Sequence, residues 1–422
     1  MGILKSDALD SHLERSPLLL LPPAAKSASV VNGDVAPHHL ASDARTFASA
    51  IISFLGAGVL GFPFAFKQSG VLLGLALLLL VGTYQLEARG LRVATYGDIG
   101  RAAFGRYGQA LVNIALVVSQ MGFGVAYIIF IASNAHSYFS VPKEAVVLVC
   151  LPFLIGFSLL PHIKQLAWVA LAADVMNFTG LAIVYAMDFS LINLSASTSS
   201  GSPLQQVHWL GATAGIPFFF GIASYCFSAV GMVLPLEKGM LHKSHFPRIL
   251  TLTVVVIGSV YASFGVAGYL AFGESTEDVL TLNLQGHGGL ATSVKLFFCA
   301  GLFFAYPMML FPVFDLLQPA VLKLVGAGRH AEAKRVAFRS AFVLLTAAIA
   351  AGVPDFAVFI SFLGSTCCSL LGFVLPVVFY LRIFAIGDSD TKRYDLKLLL
   401  AILFLGIFAV SAGFVTALSS FI

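Results

Sequence analysis

The sequence predicts an all-α integral membrane protein with eleven transmembrane helices. Composition, the length of the apolar runs and the distribution of positive charge predict it. Of 422 residues, 59% are hydrophobic and only 10% are charged, whereas a soluble domain has about a quarter of its residues charged. A soluble chain of this length would divide into several domains with polar surfaces. Here the apolar residues gather into runs of roughly 18 to 25, the length that crosses the hydrocarbon core of a bilayer.

Residues 1–45 are polar and predict a disordered cytosolic tail. The Leu18–Leu21 run is too short for a secretory signal and is flanked by Pro17 and Pro22. Five apolar segments follow at 46–66, 70–90, 109–139, 145–160 and 167–188, making a first five-helix unit over 46–190. A polar loop over 191–211 precedes a second unit over 212–381. Its segments lie at 212–235, 247–272, 290–313, 338–352 and 355–381. A further loop and an eleventh segment, 398–420, complete residues 382–422.

Charge orders these segments. With the N-terminus placed in the cytosol, all of the 24 Lys and Arg residues except Lys67, Lys143 and Lys295 fall on the cytosolic side. This is the asymmetry that the positive-inside rule requires. Asn193-Leu194-Ser195, a glycosylation acceptor pattern, then lies in the loop on the far side. A net charge of +4 without a basic patch interleaved with aromatics excludes a nucleic-acid partner. The five cysteines sit in apolar runs without metal-ligand spacing and read as small core residues. No Ser/His/Asp set and no H-E-x-x-H pattern is present, so the chain reads as neither an enzyme nor a metal or cofactor protein.

The first segment contains Ser53-Phe54-Leu55-Gly56-Ala57-Gly58-Val59-Leu60-Gly61-Phe62-Pro63. Formally this holds G-x-G-x-x-G, but no strand-turn-helix context surrounds it, so a dinucleotide site is rejected. Three glycines and a proline weaken helical hydrogen bonding in mid-membrane, where unpaired backbone groups must be buried or face a polar cavity. A glycine packing face is the other reading. The sixth segment, five spans later, is also interrupted by small and polar residues from Gly215 to Gly231. Matching interruptions in two five-helix halves point to an inverted-repeat transporter. The freed amides suit a carboxylate and the freed carbonyls an ammonium group.

At these residues the chain resembles the amino acid/auxin permease family, and within it plant vacuolar-type transporters of neutral and aromatic amino acids. The matching stretches are Gly56 to Pro63, Gly231-Met232-Val233-Leu234-Pro235-Leu236-Glu237, Gly268 to Glu274, and Gly364 to Pro376 with Ser365-Thr366-Cys367-Cys368. The resemblance runs from about residue 46 to the C-terminus. It implies a LeuT-like 5+5 inverted repeat plus one C-terminal helix, a cytosolic N-terminus, and substrate held among helices 1, 3, 6 and 8. Relatives commonly carry Phe-Glu-Gly before the Gly-Met-Val-Leu-Pro run. This chain has Phe227-Ser228-Ala229, which removes an intramembrane carboxylate.

The candidate substrate contacts are Ser53, Gly56, Ala57, Gly58 and Gly61 on the first break. On the sixth segment they are Phe220, Gly221, Ser224, Tyr225 and Ser228. Gln120, Tyr127 and Tyr306 are either ligand contacts or helix–helix hydrogen bonds. Phe218 to Phe220 either close over a substrate or face lipid. Intramembrane carboxylates are functional candidates by default, which singles out Asp174 and Glu87 for proton coupling. Asp174 can instead pair with Lys164, and Glu87 with a neighbouring arginine. Asp188 and Asp315 read as interfacial. Glu14, Leu18 and Leu19 form an acidic dileucine pattern that adaptor proteins read in an exposed tail. Together these features predict a secondary transporter of neutral amino acids, with aromatic ones the narrower option, proton-linked, in a vacuolar or lysosome-like membrane. An amino-acid sensor of the same fold is the second reading.

Overall fold

The computed structural model describes residues 42–54, 56–87, 96–159, 163–197, 207–211, 215–228, 240, 242–284, 288–325, 331–384 and 396–421. The elements are helical. In order they are α1 (Asp43–Phe54), a buried 3-10 turn (Ala57–Gly61), α2 (Phe62–Ser69), α3 (Val71–Glu87), α4 (Tyr96–Phe139), α5 (Lys143–Ser158) and α6 (Ile163–Ser197). There follow α7 (Ile216–Cys226), α8 (Phe246–Phe272), the one-turn α9 (Leu280–Asn283), α10 (Gly288–Val325), α11 (Ala331–Gly352), α12 (Phe356–Leu363), two π turns (Gly364–Cys368 and Leu370–Val374), α13 (Leu375–Phe384) and α14 (Leu396–Phe421).

Among the described residues, the apolar segments read from the sequence are largely helix, with the first interrupted at Gly56 and the sixth described as helix over Ile216–Cys226. Six helices of the described residues are long and apolar enough to cross a membrane: Tyr96–Phe139, Leu171–Asn193, Phe246–Ser275, Gly289–Pro319, Glu332–Gly352 and Phe356–Arg382. The outward faces are apolar too. Leu148, Val149 and Phe153 on α5, and Phe404, Ile407 and Val415 on α14, are more than half exposed. A soluble protein seldom exposes such continuous apolar faces, whereas lipid favours them.

Several boundaries differ from expectation. The third helix starts earlier than 109, because residues 96–103 form a separate arm that doubles back at Phe104 and Gly105. Gly105 takes φ 62° and ψ −148°, a conformation that a side chain disfavours. The Tyr96 hydroxyl anchors this arm by donating to the Leu371 carbonyl at 2.5 Å. The loop expected from 191 begins later. α6 continues to Ser197, because Leu191 to Ser197 contains neither Gly nor Pro to stop it. Asn193 therefore stands exposed on helix and not in a loop.

The three lysines set apart by the charge pattern meet at one end of the bundle. Lys67 Nζ donates to the carbonyls of Glu274 at 2.6 Å and Thr276 at 3.3 Å. Lys143 Nζ donates to Pro354 O at 2.7 Å, and Lys295 Nζ to Ser137 Oγ at 3.3 Å. Beside them the Phe356 N–H, at the start of α12, donates to Asp278 Oδ2 at 3.1 Å. Burial raises the Asp278 carboxyl above its usual range, although this N–H bond opposes the rise. α1 enters the bundle at the opposite end.

Candidate functional site

The first break lies between α1 and α2. Gly56 is extended (φ −114°, ψ −170°) and its N–H turns back to the Phe54 carbonyl at 3.0 Å. Ala57 to Gly61 then form a single 3-10 turn, and Pro63 starts α2 in the first-turn position that proline tolerates. Of the second break, expected within Gly215 to Gly231, the described residues include the near side, where α7 ends at Cys226. Phe227 leaves helical geometry (φ −83°, ψ 2°), and its N–H closes the last turn on Ala223 O.

The two breaks touch. A Cβ built on Gly58 would lie 2.5 Å from Cys226 Sγ and 2.7 Å from Tyr225 Cδ1, so only glycine allows this approach. Tyr261, fully buried on α8, ties both together. Its hydroxyl donates to the Phe54 carbonyl at 2.5 Å and lies 3.3 Å from the Cys226 carbonyl. The carbonyl ends of both interrupted helices thus converge on one phenol. Its ring packs on Phe62 (centroids 5.0 Å) and edge-on to Phe227 (5.3 Å). Tyr261 was not singled out from the sequence. The available signal was a phenol in the middle of an apolar run, since a buried tyrosine hydroxyl needs a partner.

A cleft opens onto the first break. It is lined by Gly56 and Val59, by Asp174, Asn177, Phe178 and Leu181 of α6, and by Phe298 of α10. Asp174 therefore faces the interrupted helix, and it lies within electrostatic range of Tyr127 on α4. The Tyr127 hydroxyl in turn sits 3.6 Å from where a Cβ on Gly56 would stand. The buried Asn177 Oδ1 has no hydrogen-bond partner among the described residues. Side chains around Lys164 lie outside the described residues, as do those of Ser53 and Glu87.

The other candidates separate into two groups. Ser224 is buried beside the second break, its hydroxyl without a partner among the described residues, and Tyr225 meets Phe123 edge-on at 4.9 Å. Ser228 hydrogen-bonds the Cys368 thiol of the π turn. These polar groups, with Ala57 and Gly58, line the junction of the breaks. Gly61, Gly221, Phe220 and Tyr306 lie against neighbouring helices. Gly61 abuts Ile360, Gly221 lies against Ser361, and Phe220 packs on Phe373 at 5.4 Å. The Tyr306 hydroxyl bonds Thr346 Oγ1 at 2.6 Å. Gln120 is half-buried on α4. Phe218, Phe219 and Phe220 are all buried, which overturns the lipid-facing alternative. Phe218 and Phe219 pack on Phe64, Phe62 and Phe66.

Asp188, expected near the end of its span, faces the protein interior. It is fully buried with both carboxylate oxygens unpartnered among the described residues. It shares the face of α6 that carries Leu181 and Val184, and this face packs into the bundle. The π turns beside α7 were also missed. There Ser365 Oγ donates to Ser361 O, Thr366 Oγ1 to Phe362 O and Ser369 Oγ to Gly364 O. Such back-bonding relaxes helical geometry, and the Gly364-Ser365-Thr366 cluster was its signal. Glu14, Leu18, Leu19 and the Gly231 to Glu237 run lie outside the described residues.

A helix interrupted at Gly56, meeting the end of α7 at Gly58 and bordering a cleft with a carboxylate on one wall, fits the class of broken-helix membrane transporters. The overall fold agrees. The chain matches the substrate-bound outward-open Na+-coupled sialic acid symporter, a LeuT-fold transporter, with a TM-score of 0.52 over 88% of each chain at 12% identity. The family is narrower than the fold. The transmembrane amino acid transporter protein family matches residues 40–419, and this chain belongs to it. Amino acid transporter AVT3B of Arabidopsis thaliana is 34% identical over 401 residues, 89% of this chain and 92% of that protein. Amino acid transporter ANT1 of the same plant is 30% identical over 80% of this chain and 84% of its own. Vacuolar amino acid transporter 3 of Saccharomyces cerevisiae is 25% identical over 89% of this chain and 56% of its own length. Relatives and structural neighbour alike are transporters, and so not enzymes.

Proposed function

We propose that this chain carries neutral amino acids, aromatic ones among them, across a vacuole-type membrane by proton-linked alternating access. Eleven crossings would form a 5+5 inverted repeat plus a final helix, with the N-terminus in the cytosol. The observation that carries this reading is the junction of the two breaks. Gly58 meets Tyr225 and Cys226 there, and Asp174 lines the cleft beside it. The amino acid's carboxylate is read onto the amides of the 3-10 turn and its ammonium onto carbonyls at the helix ends. Ser224, Tyr225 and Tyr127 supply the nearest polar side chains.

Asp174 is the proton carrier in this reading, in place of the carboxylate that Ser228 removes. A carboxylate in a mostly apolar cleft is costly when ionised, so taking up a proton changes the energy of the break it faces. The vacuolar location draws on the name of the yeast relative, and the Glu14, Leu18, Leu19 pattern gives a route by which adaptors deliver the protein.

Uptake of labelled neutral amino acids into proteoliposomes tests this, with the pH gradient and sodium varied separately. The expected result is uptake stimulated by the gradient, with stimulation lost in Asp174→Asn while substrate binding persists. Binding without flux would reject transport. Equal stimulation in Asp174→Asn would reject this carboxylate as the carrier.

A further inference from the structure

At the end of the bundle where α1 begins, three metal-ligating side chains converge. Asp43 lies in the first turn of α1, while His242 and His245 lie just before α8. The 3-10 turn Lys243–His245, closed by the His245 N–H on the His242 carbonyl at 3.0 Å, sets both imidazoles on one side. The rings are 5.4 Å apart and inclined by 31°. Both direct Nδ1 at the same carboxylate. His245 Nδ1 is 2.7 Å from Asp43 Oδ2, and His242 Nδ1 is 4.0 Å from Oδ1. The three ligand atoms lie within 4.8 Å of one another.

An Asp43–His245 pair alone leaves a remainder. Asp43 Oδ1 is buried with no hydrogen-bond partner among the described residues, and His242 approaches it without reaching it. Two imidazoles and a carboxylate are the ligand types that zinc-class ions take at about 2.0 to 2.2 Å. Tetrahedral bonds of that length place ligand atoms about 3.4 Å apart, between the two distances seen here. A fourth position would be left to water. All three side chains are about half exposed, which leaves them room for the shifts of roughly 0.6 to 1.4 Å that this spacing requires.

We propose that Asp43, His242 and His245 bind a divalent transition-metal ion of the zinc class, and that the bound ion clamps α1 to the start of α8. The mechanical consequence follows from the break. α1 ends at Phe54 and is joined to α2 only through the extended Gly56 and the 3-10 turn Ala57–Gly61, so the link between them is not continuous α-helix. α8, in contrast, is locked to α2, with Gly265 against Phe66 and Gly268 against Pro63. An ion bridging Asp43 to His242 and His245 removes any pivot at that link and slows any transport cycle that uses it. This consequence rests on the proposed alternating access, whereas the binding site does not. The sequence signal is His242-Lys243-Ser244-His245, an H-x-x-H spacing whose carboxylate partner lies 199 residues earlier.

Two measurements on the full chain test the proposal. Zinc chloride is titrated into purified protein by calorimetry, using wild type, His242→Ala/His245→Ala and Asp43→Asn. One site is expected in wild type, lost in the double variant and weakened in Asp43→Asn. Indistinguishable titrations of wild type and double variant overturn the site, whatever the transport result. Amino acid uptake is then measured with zinc chloride or EDTA on both sides of the membrane. Zinc should slow wild type and leave the double variant unchanged, with the two equal in EDTA. Zinc that binds at these residues without altering uptake overturns the clamp.

Discussion

Replacing Gly58 with alanine tests the contact between the two breaks. The added Cβ would sit 2.5 Å from Cys226 Sγ and 2.7 Å from Tyr225 Cδ1, where ordinary contact begins near 3.4 Å. The breaks must therefore separate by about 0.7 to 0.9 Å, since Tyr225 and Cys226 are both buried and have little room to yield. Overpacking of this kind costs about 1–3 kcal/mol of stability. A displacement approaching 1 Å at a positioned site costs up to about 100-fold in rate. Uptake in proteoliposomes, normalised to folded protein by size-exclusion chromatography, should fall between about tenfold and that limit. Gly58→Val, with two more methyl groups, should abolish it. Cys226→Ala deletes the nearest atom, so Gly58→Ala/Cys226→Ala should recover part of the loss, a coupling expected only of residues in contact. Wild-type uptake by folded Gly58→Ala, or no recovery in the double variant, would refute the contact.

Three further outcomes follow from the same geometry. Tyr261→Phe removes the donor shared by the Phe54 and Cys226 carbonyls, at a cost of about 1–3 kcal/mol. Its uptake should show a raised KM and a lowered maximal rate, and an unchanged uptake curve would separate the phenol from the site. Tyr306→Phe breaks only the bond to Thr346. It should lower the melting temperature by the equivalent of about 1 kcal/mol and leave KM unaltered, and a changed KM would place Tyr306 on the substrate. Asp278 has its carboxyl raised by burial, so the folded protein holds this proton more tightly than the unfolded chain does. Its contribution to stability is fully present below the ordinary carboxylate range and is lost as pH rises through the raised value. Melting of wild type against Asp278→Asn across that window should show wild type losing relative stability as pH increases. A constant difference would reject the assignment.

How much of the site was legible depended on how local its cause was. Gly56, Gly58, Gly61 and Pro63 announce an interrupted helix, because the defect lies in their own backbones. The end of α7 at Cys226 falls within the Gly215 to Gly231 stretch whose glycines and small polar residues predicted an interruption. Asp174 was recognised as an intramembrane carboxylate, but whether it paired with Lys164 or faced the bundle depended on how α6 is rotated. The same rotation buries Asp188 inside the bundle, which its position near the end of an apolar run did not reveal. For Tyr306 the sequence left open a helix–helix hydrogen bond or a ligand contact, and the hydroxyl bonds Thr346 of a helix 40 residues away.

The sequence by itself determined that this is a helical membrane protein, roughly where its described helices lie, where the first of them breaks, and which lysines stand apart. These follow from backbone hydrogen bonding, apolar length and charge, all properties of residues close together in the chain. Only the tertiary structure decided that Gly58 meets Tyr225, that Tyr261 joins both helix ends, and that Asp43 faces His242 and His245. Those partners are supplied by helices distant in sequence, and spacing along one helix carries no information about which face a remote helix presents to it.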